Sequence, residues 1–115
     1  MPTPRVLIVE DEPMAALDLE ATVREIVPAE IIVVASVSGA RLAMAAPLDF
    51  VFLDIEVTDG KTFEIALELR RNQLPFVFVS GSRSEALPPD LRNAPFLPKP
   101  FDRRQIELIL HRQPD

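Results

Sequence analysis

The chain has no cysteine, no tryptophan and no tyrosine. Without cysteine there can be no disulfides and no thiolate metal site, an absence that permits the cytosol and says little else about compartment. Without tryptophan or tyrosine, ordinary intrinsic fluorescence cannot follow its reactions. Positive charge is also scarce: twelve basic residues face eighteen acidic ones, for a formal charge of −6 and a pI near 4.7. That balance argues against direct nucleic-acid binding, which needs a basic face, and suits cations or basic partners. Only two of the basic residues are lysines, Lys61 and Lys99. Where arginine supplies most of the positive charge, a lysine can mark a need for a compact ammonium. No apolar run approaches the roughly 18 residues of a membrane span. The N-terminus lacks a basic stretch followed by an apolar segment, so no signal peptide, no membrane association and a cytoplasmic location are expected.

What is present is a globular composition, 48% apolar over 115 residues, with no internal repeat and no linker. One domain spanning residues 1–115 is expected. Short apolar runs alternate with amphipathic stretches. Arg5–Val9, Ile31–Ala35, Phe50–Leu53 and Phe76–Val79 are β-branched or aromatic without polar alternation, as in strands buried on both faces of a parallel sheet. A shorter run, Phe96–Leu97, lies between Pro95 and Pro98 and suits an edge strand.

Helices are expected between the runs. Pro13 opens the first and Pro28 closes it, with Ala16, Leu19, Val23 and Ile26 at helical spacing. Ser38 is expected to cap a second, running through Leu42 and Ala46 to Pro47. Lys61–Arg71 places Phe63, Ala66 and Leu67 on one face, and Asp102 with Gln105 forms a capping box for a last helix burying Ile106, Ile109 and Leu110. The interval 81–94 should hold a fourth helix, but Pro88-Pro89 interrupts it. A loop is expected there, with at most one helical turn near Ser84–Leu87. Strand–helix repetition of this kind predicts a doubly wound α/β sheet.

Ligands of open parallel sheets bind beyond the carboxyl ends of the strands. Glu10, Asp11 and Glu12 follow the first strand, Asp54 the third, Ser80 and Gly81 the fourth, and Lys99 the fifth. Crowded carboxylates raise one another's pKa unless a cation joins them. A hard divalent ion, Mg²⁺ above all, relieves that repulsion and keeps open positions for a phosphoryl group. Asp54 is then the expected nucleophile, Lys99 balances charge on the transferring group, and Ser80 donates to a phosphoryl oxygen. Each residue also has a plainer reading. Glu10 and Asp11 suit a helix N-terminus through its dipole, although three consecutive acids exceed that need. Glu12 is read as solvated, Ser80 beside Gly81 is a common turn residue, and His111 suits the negative end of the last helix.

The segments Val6–Pro13 (VLIVEDEP), Phe52–Gly60 (FLDIEVTDG), Phe78–Gly81 (FVSG) and Phe96–Phe101 (FLPKPF) resemble the receiver domain of bacterial two-component response regulators. The likeness covers nearly the whole chain. It implies a flavodoxin-like five-stranded sheet of order 2-1-3-4-5, and phosphorylation of Asp54 by a sensor histidine kinase. It also implies Mg²⁺ held by Glu10, Asp11, Asp54 and the Glu56 backbone carbonyl, and a cis bond at Pro100. Ser80 and Phe96 take the two switch positions, Phe96 being equally a core residue type. Pro75–Ser82 (PFVFVSGS) is similar to an alphaproteobacterial single-domain group nicknamed for its Phe-Ala-Thr-Gly-X-Tyr motif. This chain has Ser80 in place of the Thr and lacks the Tyr, so no role of that Tyr carries over.

No output domain is expected. The signal would leave by contact with an unknown downstream protein through the face around 81–94 and the last helix, or by phosphate relay or a sink, from a monomer or weak homodimer. Glu56, two residues after Asp54, would border the phosphate and alter its lifetime. A pseudo-receiver that never takes phosphate is the alternative binding module. A phosphohydrolase is the alternative enzyme, for which 115 residues leave little room for a cap or pocket.

Overall fold

A computed structural model describes residues 3–81 and 87–111. Five parallel strands form one sheet: β1 Arg5–Val9, β2 Glu30–Val34, β3 Phe50–Leu53, β4 Phe76–Ser80 and β5 Phe96–Pro98, in the order β2-β1-β3-β4-β5. Among the described residues, four α-helices cover it: α1 Pro13–Ile26, α2 Val37–Ala43, α3 Phe63–Arg71 and α4 Arg103–His111. The architecture is the doubly wound α/β fold expected from the chain's alternation of runs, with the flavodoxin-like strand order that the resemblance implies. Register is tight: Val6 lies between Ile31 and Phe50, Val51 opposite Phe76, and Phe78 opposite Phe96.

Successive strand residues point to opposite faces, so each strand feeds two cores. Leu7, Val9, Val51, Leu53, Phe76 and Phe78 pack beneath α2 and α3. Val6, Ile8, Phe50, Phe52, Val77 and Val79 pack beneath α1 and α4, against Leu19, Val23 and Ile106. Within strands, Phe50 and Phe52 meet on one face with ring centroids 4.9 Å apart, and Phe76 and Phe78 on the other at 5.6 Å.

Several local expectations need correction. β2 is an edge strand and only partly covered, with Val33 39% exposed, so its unbroken apolar run does not mean burial on both faces. Ser36, not Ser38, caps α2: in extended conformation its Oγ accepts from the Gly39 N–H at 2.9 Å. The Asp59 carboxylate, from the loop after β3, takes the N–H groups of Val37 (2.6 Å) and Ser38 (3.1 Å). The helix ends at Ala43, short of Ala46, and Leu42 is exposed. In α3 the buried face is Ile65, Ala66 and Leu69, with Phe63 and Leu67 only half-buried, because Lys61 belongs to a short antiparallel ladder, Glu56–Val57 with Gly60–Lys61, and the helix starts later. Gly60 closes that ladder's turn at φ 138°, a conformation glycine alone adopts freely.

In the interval 81–94, the only helical piece among the described residues is the 3₁₀ turn Pro89–Leu91. Most of the single turn expected near Ser84–Leu87 lies outside the described residues. The interval is more than a surface loop: Leu87, Leu91 and Ala94 are buried in the core beside α3. Arg70 secures it by donating to the Asp90 carbonyl at 2.7 Å. At the last helix the capping box is formed as expected, Gln105 N–H to Asp102 Oδ1 at 3.0 Å and Asp102 N–H to Gln105 Oε1 at 2.8 Å.

The Val37 N–H first, and the Ser38 N–H next, hold the Asp59 carboxyl below its usual value of 3.8. The folded chain therefore binds that proton more weakly than the unfolded chain. The contribution is present above the ordinary carboxylate value and lost as pH falls through the lower folded one. Asp59→Ala is expected to lower the melting temperature at about pH 7 and to matter little at about pH 2. Circular dichroism melts at the two pH values test this, and an equal loss at both would contradict it.

Candidate functional site

The parallel ladder runs one residue past the strands and carries the charged residues with it. Glu10 donates its N–H to the Val34 carbonyl, Asp54 to that of Val9 and Lys99 to that of Ser80, each at 2.9 Å. These residues thus sit at fixed heights along the carboxyl edge of the sheet. Lys99 is followed by a cis peptide bond to Pro100. Its ammonium donates to Glu10 Oε1 and lies 3.4 Å from Asp54 Oδ2. Carboxylate oxygens of Glu10, Asp11 and Asp54 fall within 4.8 Å of one another. Glu10 and Asp54 are largely enclosed, their side chains 6% and 13% exposed, while Asp11 faces solvent.

The Asp54 carboxylate is also held from below. The Ile55 N–H donates to its Oδ1 at 2.7 Å, and the Thr62 hydroxyl donates to the Asp54 carbonyl at 2.5 Å. The loop beyond is tied down by the Thr58 N–H to the Ala35 carbonyl (3.2 Å) and by Asp59 on α2.

Electrostatics in this cluster are uneven. Burial pushes the Glu10 carboxyl above its usual 4.5, and Asp54 adds to the rise; the Lys99 bond only partly offsets them. Burial acts to lower Lys99, but its bond to Glu10 and the charges of Asp54 and Glu10 outweigh burial and hold it above 10.5. The asymmetry has a simple origin: the lysine faces two anions, whereas Glu10 faces one cation and another anion. Three carboxylates against one ammonium leave two net negative charges at the edge. The donors are all oxygen and the charge deficit matches a divalent ion, so the residues fit a hard cation such as Mg²⁺.

Other expected site residues sit as follows. Ser80 is buried at the end of β4, bonded through its carbonyl to Lys99. Phe96 is half-buried at the start of β5 and packs on the core shared with α2 and α3. The Glu56 side chain is 70% exposed and its carboxylate lies 3.7 Å from Lys61, across the short ladder. Glu12 is exposed, as expected. An open cleft of about 280 Å³ between α1 and β2 begins at Glu10 and Asp11 and continues over Pro13, Leu17 and Val33. The sequence pattern assigned no role to Thr62 or to Asp59. A threonine immediately before a helix is the available signal for the first, but it points to a helix cap, not to a bond back to Asp54.

No family model and no curated protein matches the chain. Solved structures do. SdrG from Sphingomonas melonis Fr1 is 29% identical, with a TM-score of 0.82 over 96% of this chain and 97% of that one. A CheY-like response regulator receiver domain from Methylobacillus flagellatus is 27% identical, with a TM-score of 0.82 over 96% and 98%. The response regulator TrrA from Thermotoga maritima, solved with Mg²⁺ and beryllofluoride, shares the fold at 21% identity, with a TM-score of 0.82 over 95% and 97%.

The fold and the acidic edge define an α/β protein whose Glu10, Asp11 and Asp54 carboxylates are grouped closely enough to hold a cation. In fold and in the placement of these residues the chain is similar to CheY-like response-regulator receiver domains, at 27% to 29% identity. Among the described residues, no helix is long and apolar enough to cross a membrane.

Because the folded state holds the Glu10 proton more tightly than the unfolded chain does, the cost of burying this carboxylate is absent below pH 4.5 and grows as pH rises toward the folded value. At neutral pH, Mg²⁺ added at about 100 times its Kd is expected to stabilise the protein by about 2.7 kcal/mol. Glu10→Gln should weaken this gain and flatten the pH dependence of the cation-free melt. A melting temperature indifferent to Mg²⁺ in the native protein would refute the cation site.

Proposed function

We propose that Asp54 accepts a phosphoryl group from the phosphohistidine of a sensor histidine kinase, in a reaction dependent on Mg²⁺. The observation that carries this reading is the meeting of Glu10, Asp11 and Asp54 within 4.8 Å, with the Lys99 ammonium 3.4 Å from Asp54. Glu10, Asp11, Asp54 and the Glu56 backbone carbonyl would hold the ion. When bound, Mg²⁺ supplies charge neutralisation and polarises phosphoryl oxygens.

The chain's own residues do the rest. An Asp54 carboxylate oxygen attacks phosphorus while the phosphorus–nitrogen bond breaks. The electron pair stays on the imidazole nitrogen, which takes a proton from solvent, and Asp54 becomes an acyl phosphate. Lys99 exchanges Glu10 for a phosphoryl oxygen, and the Ser80 hydroxyl donates to another. The new group adds about −1.5 to −2 charges at the edge. Moving the domain from mostly off to mostly on requires about 5.5 kcal/mol of preference for one state. Ser80 and Phe96 would transmit it toward the face formed by 87–94 and α4, where Leu108 is 52% exposed. The signal then passes to a downstream protein, onward by phosphate relay, or into a sink that drains the kinase. The apolar cleft beside Asp11 supports docking of a protein partner close to the acceptor.

The narrower placement in the alphaproteobacterial single-domain group rests on the motif around Ser80 and is favoured by the likeness to SdrG.

Incubation with acetyl phosphate and Mg²⁺ is expected to add one phosphate by intact mass, and Asp54→Asn or omission of the ion to abolish it. A native protein that takes no phosphate would leave an interaction module of the same fold.

Glu56 lies two residues beyond Asp54 with its exposed carboxylate beside Lys61, and we read its side chain as hindering the water that would remove the phosphate. Glu56→Asn is expected to speed dephosphorylation a few-fold, measured by loss of the phosphorylated mass after removal of acetyl phosphate. Equal rates would remove any role for this carboxylate.

A further inference from the structure

Only three polar side chains are buried among the described residues: Glu10, Ser80 and Thr62. The first two belong to the edge already described. Thr62 is wholly buried at the position that precedes α3, eight residues after Asp54. A threonine there ordinarily accepts from an N–H of the helix's first turn. Thr62 makes no such bond. Its Oγ1 points back into the loop, 2.5 Å from the Asp54 carbonyl and 3.3 Å from that of Ile55. A hydroxyl has one proton to give, and the shorter distance assigns it to Asp54. The Ile55 carbonyl is served by the Thr62 N–H at 2.9 Å.

The Asp54 carbonyl and the Ile55 N–H are opposite ends of one planar peptide unit. That N–H donates to Asp54 Oδ1 at 2.7 Å. Holding the carbonyl end therefore aims the N–H, and the N–H fixes the carboxylate rotamer. Oδ2 is left facing Lys99 at 3.4 Å. The α3 terminus gives up a side-chain cap to keep this arrangement.

We infer that Thr62 is a positioning residue: by clamping the Asp54–Ile55 peptide plane, its hydroxyl sets the direction in which the Asp54 carboxylate meets an incoming phosphoryl group. The functional half of this inference rests on the phosphoacceptor reading above. Its structural half does not.

The test compares Thr62→Val, which keeps shape and removes the proton donor, with Thr62→Ser, which keeps the donor. At saturating Mg²⁺, Thr62→Val is expected to slow phosphorylation by acetyl phosphate about 10-fold, since small misplacements of a reacting group cost up to about 100-fold. Thr62→Ser should stay within about 2-fold of the native rate, because the rotational constraint is retained. In the absence of ion and phosphate donor, the Ile55 amide proton resonance should move upfield in Thr62→Val and stay in place in Thr62→Ser.

A native rate and an unmoved Ile55 resonance in Thr62→Val would overturn the inference, as would an equal loss in both variants, which would assign the effect to the methyl group. If the native protein takes no phosphate, the phosphoacceptor reading fails, and the Ile55 resonance still decides the clamp. Should Thr62→Val not fold, side-chain couplings of Thr62 in the native protein decide it: one fixed rotamer upholds the clamp and rotamer averaging overturns it.

Discussion

The structure depends on a ladder that does not stop where the apolar runs stop. Backbone bonds carry Glu10, Asp54 and Lys99 one step beyond β1, β3 and β5, each N–H still bonded to the neighbouring strand. Free carboxylates in water would move apart. Here a core buried on both faces of β1, β3 and β4 holds them at one edge and offsets their repulsion. The raised Glu10 carboxyl is the visible sign that this repulsion is only partly relieved by Lys99. A site assembled under such a constraint is already shaped for a cation, because the arrangement that costs stability without one is the arrangement that binds it.

The two halves of the edge are held differently. The loop after Asp54 is fastened at three points, through Thr58 to Ala35, through Asp59 to the start of α2, and through Thr62 to Asp54 itself. The Asp54 carboxylate therefore sits on a strap joined to two helices. On the other side, the segment that follows β4 has no full helix among its described residues, and it is kept in place by Leu87, Leu91 and Ala94 in the core and by Arg70. A firmly held carboxylate beside residues 87–94, whose one regular piece is a 3₁₀ turn, suits the proposed function: chemistry needs a set geometry, and signalling needs a part that can repack.

Much of this was legible in the chain. The apolar runs marked the strands to within a residue, because two-sided burial of β1, β3 and β4 leaves no polar alternation and the part-covered β2 carries an equally apolar run, and the resemblance supplied their order. The acidic and basic residues following those runs marked the site, since strand ends in a parallel sheet share one edge. Less was legible in the helices. Ser36 and Ser38 are equally good caps by type, and the choice between them was made by Asp59, which occupies the N–H groups of Val37 and Ser38 and leaves that of Gly39 for Ser36. The broken pattern around Pro88-Pro89 concealed three core residues, because spacing around a 3₁₀ turn does not follow helical period.

By itself the sequence determined the strands, the parallel sheet and the residue types at its carboxyl edge, because burial pattern and strand termination are local properties of the chain. Only the tertiary structure decided which groups meet: Lys99 with Glu10, 89 residues away, Asp59 with the start of α2, 22 residues back, and Thr62 with the Asp54 carbonyl. A hydrogen bond is chosen by distance and direction in space, and a one-dimensional pattern specifies neither.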